Sequence, residues 1–258
     1  MSKSRINLCG TDIDTFSFEE VVSTVVAHVH HSPTPGYVVT PNAAHIVTLQ
    51  EDTYFKEIYR DAFLVVPDGV PLLWAAKVLN KSLPERVNGT DLFERLCEVS
   101  SKAGFKVFLL GGRPGAAAAA AAILQKRYPN LKIAGTYCPT YGFENDLEEL
   151  AIISSTIKAA APDILFVGLG APKQEKWIYK NYKELNIPIS IGIGVSFELV
   201  SGMVKRAPRI MQSLGLEWFF RLLMEPRRLW KRYVVGNVVF VWLIIKQKLG
   251  FLGKSESC

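Results

Sequence analysis

The sequence predicts an α/β fold in which a Rossmann-like, mostly parallel sheet is covered by helices. Apolar, β-branched runs alternate with helical patterns in at least five strand–helix units. Glycine or small polar residues repeatedly end these runs, as expected where parallel strands meet a ligand-binding edge. We assign residues 1–200 to this core and residues 201–258 to a helical, basic and aromatic C-terminal appendage.

Composition narrows the class of protein. The chain has 258 residues, and its hydrophobic content of 49% excludes a disordered protein. A net charge of +6 is too small for a dedicated nucleic-acid binder, and the excess lies near the C-terminus. The four cysteines have no CxxC spacing and no nearby histidine pair, which argues against disulfides and a zinc site. The N-terminus lacks the apolar segment of a signal peptide, so we expect a cytoplasmic protein.

The N-terminal part repeats a strand–helix pattern. We predict a strand over Arg5–Ile13, a helix over Ser17–His31, a strand from Gly36 and a helix over Ala43–Gln50. Thr40 and Asn42 fall in the turn before the last of these helices. Either side chain can cap the helix, and the other is then available to a ligand at the sheet edge.

A short apolar strand, Leu64–Val66, stops at a lone carboxylate held between proline and glycine. This carboxylate is Asp68. In open α/β sheets ligands bind at the carboxyl ends of the strands, and partial desolvation there raises the pKa of a carboxyl group toward that of a general base. The alternative is a Pro-Asp-Gly turn in which Asp68 bonds its own backbone.

The next segment adds a candidate anion ligand. An apolar helix follows Asp68, and another helix opens within Asn88–Leu92, with Thr90 or Asp91 as its predicted N-cap. Arg86 precedes this helix in a glycine-containing loop. An arginine there is either a solvated surface group or a ligand for an anion near the helix N-terminus.

The sharpest local signal is a strand, a glycine turn and a helix. Lys106–Leu110 is the strand, Gly111, Gly112 and Arg113 form the turn, and the helix runs over Ala116–Tyr128. Exposed backbone N–H groups and the helix dipole make such a turn a phosphate site. The turn matches neither GxGxxG nor a P-loop.

A related pattern follows the strand that begins at Asp163. It ends at Gly168 and Gly170, and Lys173 and Gln174 then fall in the first turn of a helix. Lysine there opposes the helix dipole, which makes sense if an anion lies nearby.

Two other strand ends carry candidate ligands. The strand Lys132–Tyr137 leads into a loop whose aromatic rings can flank a sugar ring. The last strand, Ile187–Ile193, precedes Glu198.

The appendage interleaves cations with aromatic residues. Its apolar run over Tyr233–Ile245 covers only about half of a membrane span. A basic, tryptophan-rich segment of this kind is typical of helices that lie in the membrane interface, and a plain packing helix is the alternative. The cations expected to meet lipid phosphate are Arg221, Arg227, Arg228, Lys231 and Arg232.

Several of these motifs together resemble the WecG/TagA/CpsF family of bacterial glycosyltransferases, over nearly the whole chain. The motifs are Thr40-Pro-Asn42, Pro67-Asp68-Gly69, Asn88-Gly-Thr-Asp-Leu92, the turn at Gly111, Gly168-Leu-Gly-Ala-Pro-Lys-Gln-Glu-Lys-Trp177, Arg206-Ala-Pro and Gly215-Leu-Glu-Trp218. The last three are rather specific. One departure is Glu198, because family members usually carry aspartate there.

The resemblance implies an inverting, metal-independent transferase without a cofactor. It would move a sugar, N-acetylmannosamine as first expectation, from a UDP-sugar to a sugar linked to undecaprenyl diphosphate, in teichoic-acid or surface-polysaccharide synthesis. Asp68 is then the general base, and Thr40, Asn42, Arg86 and Gln174 line the same pocket. The expected UDP-sugar ligands are Gly111, Gly112, Arg113, Tyr137, Gly168, Gly170, Lys173 and Glu198.

The expected partners are a UDP-sugar donor, a lipid-linked acceptor and the inner face of the cell membrane, where the protein would be peripheral. No nucleic acid is expected, and a homo-oligomer stays open. Glucose or an acidic aminosugar is the alternative donor sugar. A nucleotide-dependent oxidoreductase and a membrane-surface binding protein are the rival classes, the first weakened by the missing GxGxxG and the second by the polar strand ends.

Overall fold

The computed structural model describes residues 4–32 and 34–251, and its side-chain detail omits Ser213, Arg228, Lys231 and Arg232. The strands are β1 (Arg5–Leu8), β2 (Thr11–Asp14), β3 (Gly36–Val39), β4 (Leu64–Val65), β5 (Lys106–Gly111), β6 (Lys132–Tyr137), β7 (Ile164–Gly168) and β8 (Ile189–Gly192). The first eight α-helices are α1 (Phe18–His31), α2 (Ala43–Glu51), α3 (Thr53–Arg60), α4 (Val70–Val78), α5 (Gly89–Ala103), α6 (Ala116–Arg127), α7 (Leu147–Ala160) and α8 (Lys173–Leu185). They are followed by α9 (Ser196–Val200), α10 (Arg209–Ser213), α11 (Glu217–Met224), α12 (Pro226–Trp230) and α13 (Gly236–Lys248).

The predicted α/β class is confirmed. Strands β3 to β8 form a six-stranded sheet in the order β4-β3-β8-β7-β5-β6, flanked by helices. The pairs β3–β8, β8–β7, β7–β5 and β5–β6 are all parallel. Strands β7 and β8 are buried throughout, as continuous apolar strands covered on both faces should be.

Two local predictions are wrong. The single strand predicted over Arg5–Ile13 is an antiparallel hairpin of β1 and β2, because Cys9 (φ 50°) and Gly10 (φ 82°) form a tight turn with left-handed backbone. The cap predicted at Thr90 or Asp91 is displaced, since α5 already begins at Gly89. The buried Thr90 hydroxyl lies 2.9 Å from Ser196 Oγ, so it makes a tertiary hydrogen bond instead of a cap.

The chain divides into two compact units. The first consists of Met1–Phe18, Thr40–Asn88 and Arg206–Cys258, and the second of Glu19–Val39 and Gly89–Lys205. The polypeptide therefore leaves and re-enters the first unit, to which the tail belongs from Arg206 onward. The division into a core of residues 1–200 and an appendage stays a prediction.

In the first unit, the N-terminal hairpin fixes the strand that leads to Asp68. Asp14 is fully buried; one carboxylate oxygen accepts a hydrogen bond from Arg5 Nε at 2.8 Å and the other from the Val65 amide at 2.7 Å. Helix α13 packs against α2 in the same unit.

None of the helices within residues 4–32 and 34–251 is both long and apolar enough to span a membrane.

In the second unit, aromatic rings pack the helices onto the sheet. Phe93 of α5 meets Phe166 of β7 and Phe197 of α9 edge to face, with ring centroids 4.7 and 5.4 Å apart. All three rings are fully buried. Such pairs add about 0.5–1.5 kcal/mol each beyond the burial of their apolar area. This packing holds α9, and with it Glu198, against the sheet.

Candidate functional site

The first unit contains a carboxyl group, Asp68, at the end of β4. Its backbone N–H donates to the Pro41 carbonyl at 2.8 Å, and its Oδ1 accepts from Asn88 Nδ2 at 2.9 Å. The Val87 amide donates to the Pro67 carbonyl at 2.8 Å, which brings the loop carrying Asn88 to this place. Three chain segments therefore meet at Asp68, so it is more than a local Pro-Asp-Gly turn.

The surroundings of Asp68 favour its protonated form. Desolvation by the surrounding protein, helped by the negative charge of Glu217, raises the pKa of Asp68 to about 7, although the residue keeps some solvent contact. Arg86, the hydrogen bond from Asn88 and the charge of Arg221 all pull this pKa down, and they are outweighed. A carboxyl group with a pKa near neutrality is suited to accept a proton from a substrate hydroxyl.

Of Thr40 and Asn42, it is Asn42 that caps α2. Its Oδ1 accepts from the amides of Ala44 at 3.0 Å and His45 at 3.4 Å, and His45 Nδ1 accepts from the Asn42 amide at 3.1 Å. This reciprocal arrangement is a capping box. Thr40 is buried just after β3, two residues before the cap. The capping box therefore holds the Thr40–Asn42 turn in place, next to the Pro41 carbonyl that receives the Asp68 amide.

Charged residues from the tail reach the surroundings of Asp68. Arg86 Nη1 lies 2.5 Å from Glu217 Oε2, and Arg206 Nε lies 4.0 Å from Glu217 Oε1. Arg206 Nη2 also donates to Asn88 Oδ1 at 3.4 Å. Arg206, Glu217 and Asn88 lie within the family-like motifs, but the sequence predicts no role for them. The only signal for them was their place in those motifs.

A glycine explains how the tail approaches so closely. Gly215 lies at φ +67°, and a Cβ atom there would lie 2.7 Å from Val70 Cβ of α4. Any larger residue would push away the start of α11, which carries Glu217 and Arg221. Arg227 of the tail is exposed, and the side chains of Arg228, Lys231 and Arg232 lie outside the described part of the structure.

In the second unit, the glycine turn after β5 is tightly built. Gly111 (φ +103°) could not carry a Cβ, which would lie 2.7 Å from the Gly168 carbonyl oxygen. The Gly112 amide donates to that carbonyl at 2.8 Å, and the Arg113 amide donates to Glu198 Oε1 at 2.9 Å. The expectation that these N–H groups are exposed to a phosphate is therefore wrong for Gly112 and Arg113, because protein oxygens already accept from them.

Two features of this turn remain suited to a ligand. Helix α6 begins after Gly115 without a side-chain cap, so its positive end is available to an anion. Glu198 is buried, and its Oε2 has no hydrogen-bond partner within the described residues. A buried carboxylate oxygen without a donor is costly unless a ligand supplies one.

Lys173 and Gln174 make protein contacts at the start of α8. Lys173 Nζ lies 2.5 Å from Glu144 Oε1 and within 5.7 Å of the Tyr141 and Phe143 ring centroids. The buried Gln174 accepts from the Gly194 amide at 3.0 Å and donates to Glu175 Oε1 at 2.8 Å. The Gln174 amide therefore ties α8 to the loop after β8.

The remaining candidates lie at neighbouring strand ends of the second unit. Gly168 ends β7, and Gly170 (φ +76°) follows with open space beside it. Tyr137 ends β6, and burial together with the charge of Glu149 raises the pKa of its hydroxyl. The residues that the structure describes contain no group of three or more His, Cys, Asp or Glu side chains placed to hold a metal ion.

The fold and the polar groups at its strand ends define an α/β protein of the Rossmann-like class. The chain belongs to the glycosyl transferase WecG/TagA/CpsF family, whose model matches residues 6–253. The family expected from the motifs is thereby confirmed.

Curated relatives support the same assignment. The chain is 37% identical over 196 residues to an N-acetylglucosaminyldiphosphoundecaprenol N-acetyl-beta-D-mannosaminyltransferase of Bacillus subtilis, covering 75% of this chain and 72% of that protein. It is 30% identical over 250 residues to the protein of the same name from Staphylococcus aureus strain MW2, covering 95% of this chain and 94% of that one.

Proposed function

We propose that this chain is an inverting, metal-independent glycosyltransferase that moves N-acetylmannosamine from a UDP-sugar to a sugar linked to undecaprenyl diphosphate. The proposal rests on one observation: Asp68 lies where three chain segments meet, and its pKa is raised to about 7. The names of the two relatives support the acceptor and the transferred sugar. Such a reaction belongs to teichoic-acid or related surface-polysaccharide synthesis.

The proposed chemistry is a single displacement. The Asp68 carboxylate takes the proton from the acceptor hydroxyl, and the freed oxygen attacks the anomeric carbon of the donor sugar. The bond from that carbon to the diphosphate oxygen breaks, and UDP leaves with the bonding electrons. One displacement inverts the anomeric configuration. Protonated Asp68 returns its proton to solvent.

We assign the donor nucleotide to the second unit. The uncapped start of α6 can meet the diphosphate, and Glu198 Oε2 can accept a hydrogen bond from a ribose hydroxyl or a base N–H. We also place the side chains of Arg113, Tyr137 and Lys173 beside the nucleotide. The glycines would let the nucleotide approach the backbone closely; they are Gly111, Gly112, Gly168 and Gly170. Gln174 acts by holding the loop after β8.

We assign the acceptor lipid to the first unit. Arg221 lies close enough to Asp68 to lower its pKa, so a diphosphate bound there would lie near the base. Phe219, Leu223 and Met224 on the same helix are 40%, 62% and 55% exposed. We therefore propose a peripheral position on the inner membrane face, with Arg227, Arg228, Lys231 and Arg232 as further phosphate contacts.

The leaving diphosphate needs no metal in this proposal. Arginine side chains and the positive end of a helix can stabilise the developing charge. We therefore expect transfer to continue in excess EDTA.

The test is transfer from UDP-N-acetylmannosamine to a lipid-diphosphate-linked N-acetylglucosamine acceptor by the purified chain. Asp68→Asn keeps the shape and the Asn88 contact but removes the base, so turnover should fall by about a hundredfold or more while UDP binding persists. Glu57→Gln, an exposed carboxylate of the same unit, is the matched control. Near-normal turnover by the Asn variant, or a loss in EDTA that Mg²⁺ restores, would contradict the mechanism.

A further inference from the structure

A cluster of charges surrounds Asp68 in the first unit, and most of it is positive. Arg86 and Arg221 both act on Asp68 electrostatically, and Arg206 is linked to it through Asn88. Arg86 and Arg221 favour the ionised carboxylate, and a carboxylate stabilised in this way is a weaker base. Desolvation opposes the arginines, and a negative charge in the cluster acts in the same direction as desolvation.

The residue placed to do so is Glu217, in the first turn of α11. One carboxylate oxygen, Oε2, lies 2.5 Å from Arg86 Nη1, and the other, Oε1, lies 4.0 Å from Arg206 Nε. The side chain is only 25% exposed, so solvent screens its charge weakly. The negative charge of Glu217 raises the pKa of Asp68, whereas Arg86 and Arg221 lower it.

We propose that Glu217 is a positioning residue that balances Arg86 and Arg206 and thereby keeps Asp68 basic enough to take the acceptor's proton. The inference rests on the proposed role of Asp68 as the base. Glu217 itself is committed to Arg86 and is not the proton acceptor. Arg206, which lies beside Glu217, also donates a hydrogen bond from Nη2 to Asn88 Oδ1. This bond orients the Asn88 side chain so that its Nδ2 donates to Asp68 Oδ1.

The arrangement has a consequence for the tail. Glu217 and Arg221 are one helical turn apart on α11, so the same helix supplies the charge balance of the base and the proposed contact to the acceptor diphosphate. Docking of α11 therefore brings to Asp68 both the charge that raises its pKa, Glu217, and a charge that lowers it, Arg221. Gly215 permits this docking, because a Cβ atom there would lie 2.7 Å from Val70 Cβ.

The inference is tested with Glu217→Gln, which keeps the shape and removes the charge. Two readouts are compared with the parent chain: the pH dependence of kcat for transfer, and the titration of Asp68 by carboxyl ¹³C NMR without substrates, with its resonance assigned by its loss in Asp68→Asn. In Glu217→Gln we expect the acidic limb of kcat and the pKa of Asp68 to fall together by about one pH unit. Glu217→Asp, which keeps the charge on a shorter stem, should restore part of the shift.

Glu57→Gln makes the same change in net charge away from the cluster and should shift neither readout. An unchanged Asp68 titration in a folded Glu217→Gln protein would overturn the inference, as would an equal shift in Glu57→Gln. If the parent chain transfers no sugar, the proposed function fails, whereas the NMR titration still decides whether Glu217 sets the basicity of Asp68.

Discussion

At the scale of single residues, Asp68 combines a use in chemistry with a cost in stability. Its pKa in the folded chain is about 7, against 3.8 for an ordinary aspartate. Because folding raises this pKa, the ionised carboxylate destabilises the folded state. The penalty is absent below about pH 4, grows as the pH rises toward 7, and is constant above that.

Asp68→Asn removes this penalty, so the variant that loses transfer should gain stability. We expect the melting temperature of the Asn variant to exceed that of the parent by a margin that widens between about pH 4 and pH 8. Each kcal/mol corresponds to roughly 2–4 °C for a chain of this size. The measurement is thermal unfolding across this pH range, with Glu57→Gln as control. A margin that does not change with pH would show that Asp68 carries no such penalty.

The residue scale is also where the sequence was least informative. Asp68 could be picked out because an apolar strand ends beside it, and Asn42 because a polar residue precedes a helix. Glu217 gave no such sign, since its partner Arg86 lies 131 positions away along the chain. Only the folded chain shows that pair. The sequence likewise predicts exposed amides at Gly112 and Arg113, which is wrong because their acceptors, Gly168 and Glu198, come from distant segments.

At the scale of elements, most strands and helices follow from local pattern. The strands β5, β7 and β8 are largely apolar runs that end in glycine, and such runs can be recognised without tertiary information. The exceptions have local causes. The hairpin turn places Cys9 in a left-handed conformation that cysteine seldom adopts. The sequence pattern predicts no helix at α3, although the Asp52 side chain caps this helix by accepting a hydrogen bond from the Phe55 amide.

Helix α13 shows why the tail is more than a surface attachment. Phe240, Leu243 and Ile244 are buried, and the helix packs against α2. Gln247 accepts from the Cys9 amide at 2.8 Å and donates to the Asn7 carbonyl at 3.2 Å. The helix is thus bonded to the N-terminal hairpin. Deleting residues 201–258 would expose the apolar face of α2, so point variants are better probes of the tail than truncation.

Gln247→Ala should therefore destabilise the whole chain. It leaves the partly buried Cys9 amide without its acceptor, a loss that costs about 1–3 kcal/mol. Chemical denaturation measures the change in the free energy of unfolding. Gln125→Ala, on the exposed side of α6, is the control and should cost less than about 0.5 kcal/mol. Equal effects of the two changes would mean that the Gln247 contacts do not secure α13.

At the scale of the whole molecule, exposed apolar side chains concentrate in the first unit. On α13 alone, Val238, Val241 and Trp242 are 68%, 56% and 51% exposed, on the side away from the buried Leu243. Lys246 Nζ lies 3.6 Å from the Trp242 ring centroid, which puts a cation beside this apolar face. Since α13 is apolar on both sides and is buried on only one, the other side is the surface that the membrane proposal needs.

We therefore expect Val238→Ser combined with Val241→Ser to weaken binding of the full chain to anionic lipid vesicles by about tenfold. Burying a valine side chain contributes about 1.5–3 kcal/mol when complete, and both residues are only partly available. Vesicle sedimentation measures the partition coefficient, and added salt separates the apolar part of binding from the part due to Arg221 and Arg227. Ile152→Ser, which removes an exposed apolar side chain from the second unit, should leave partition unchanged. If the double variant binds vesicles as well as the parent while the Ile152 variant binds less, α13 is not the docking surface and the membrane must meet the second unit instead.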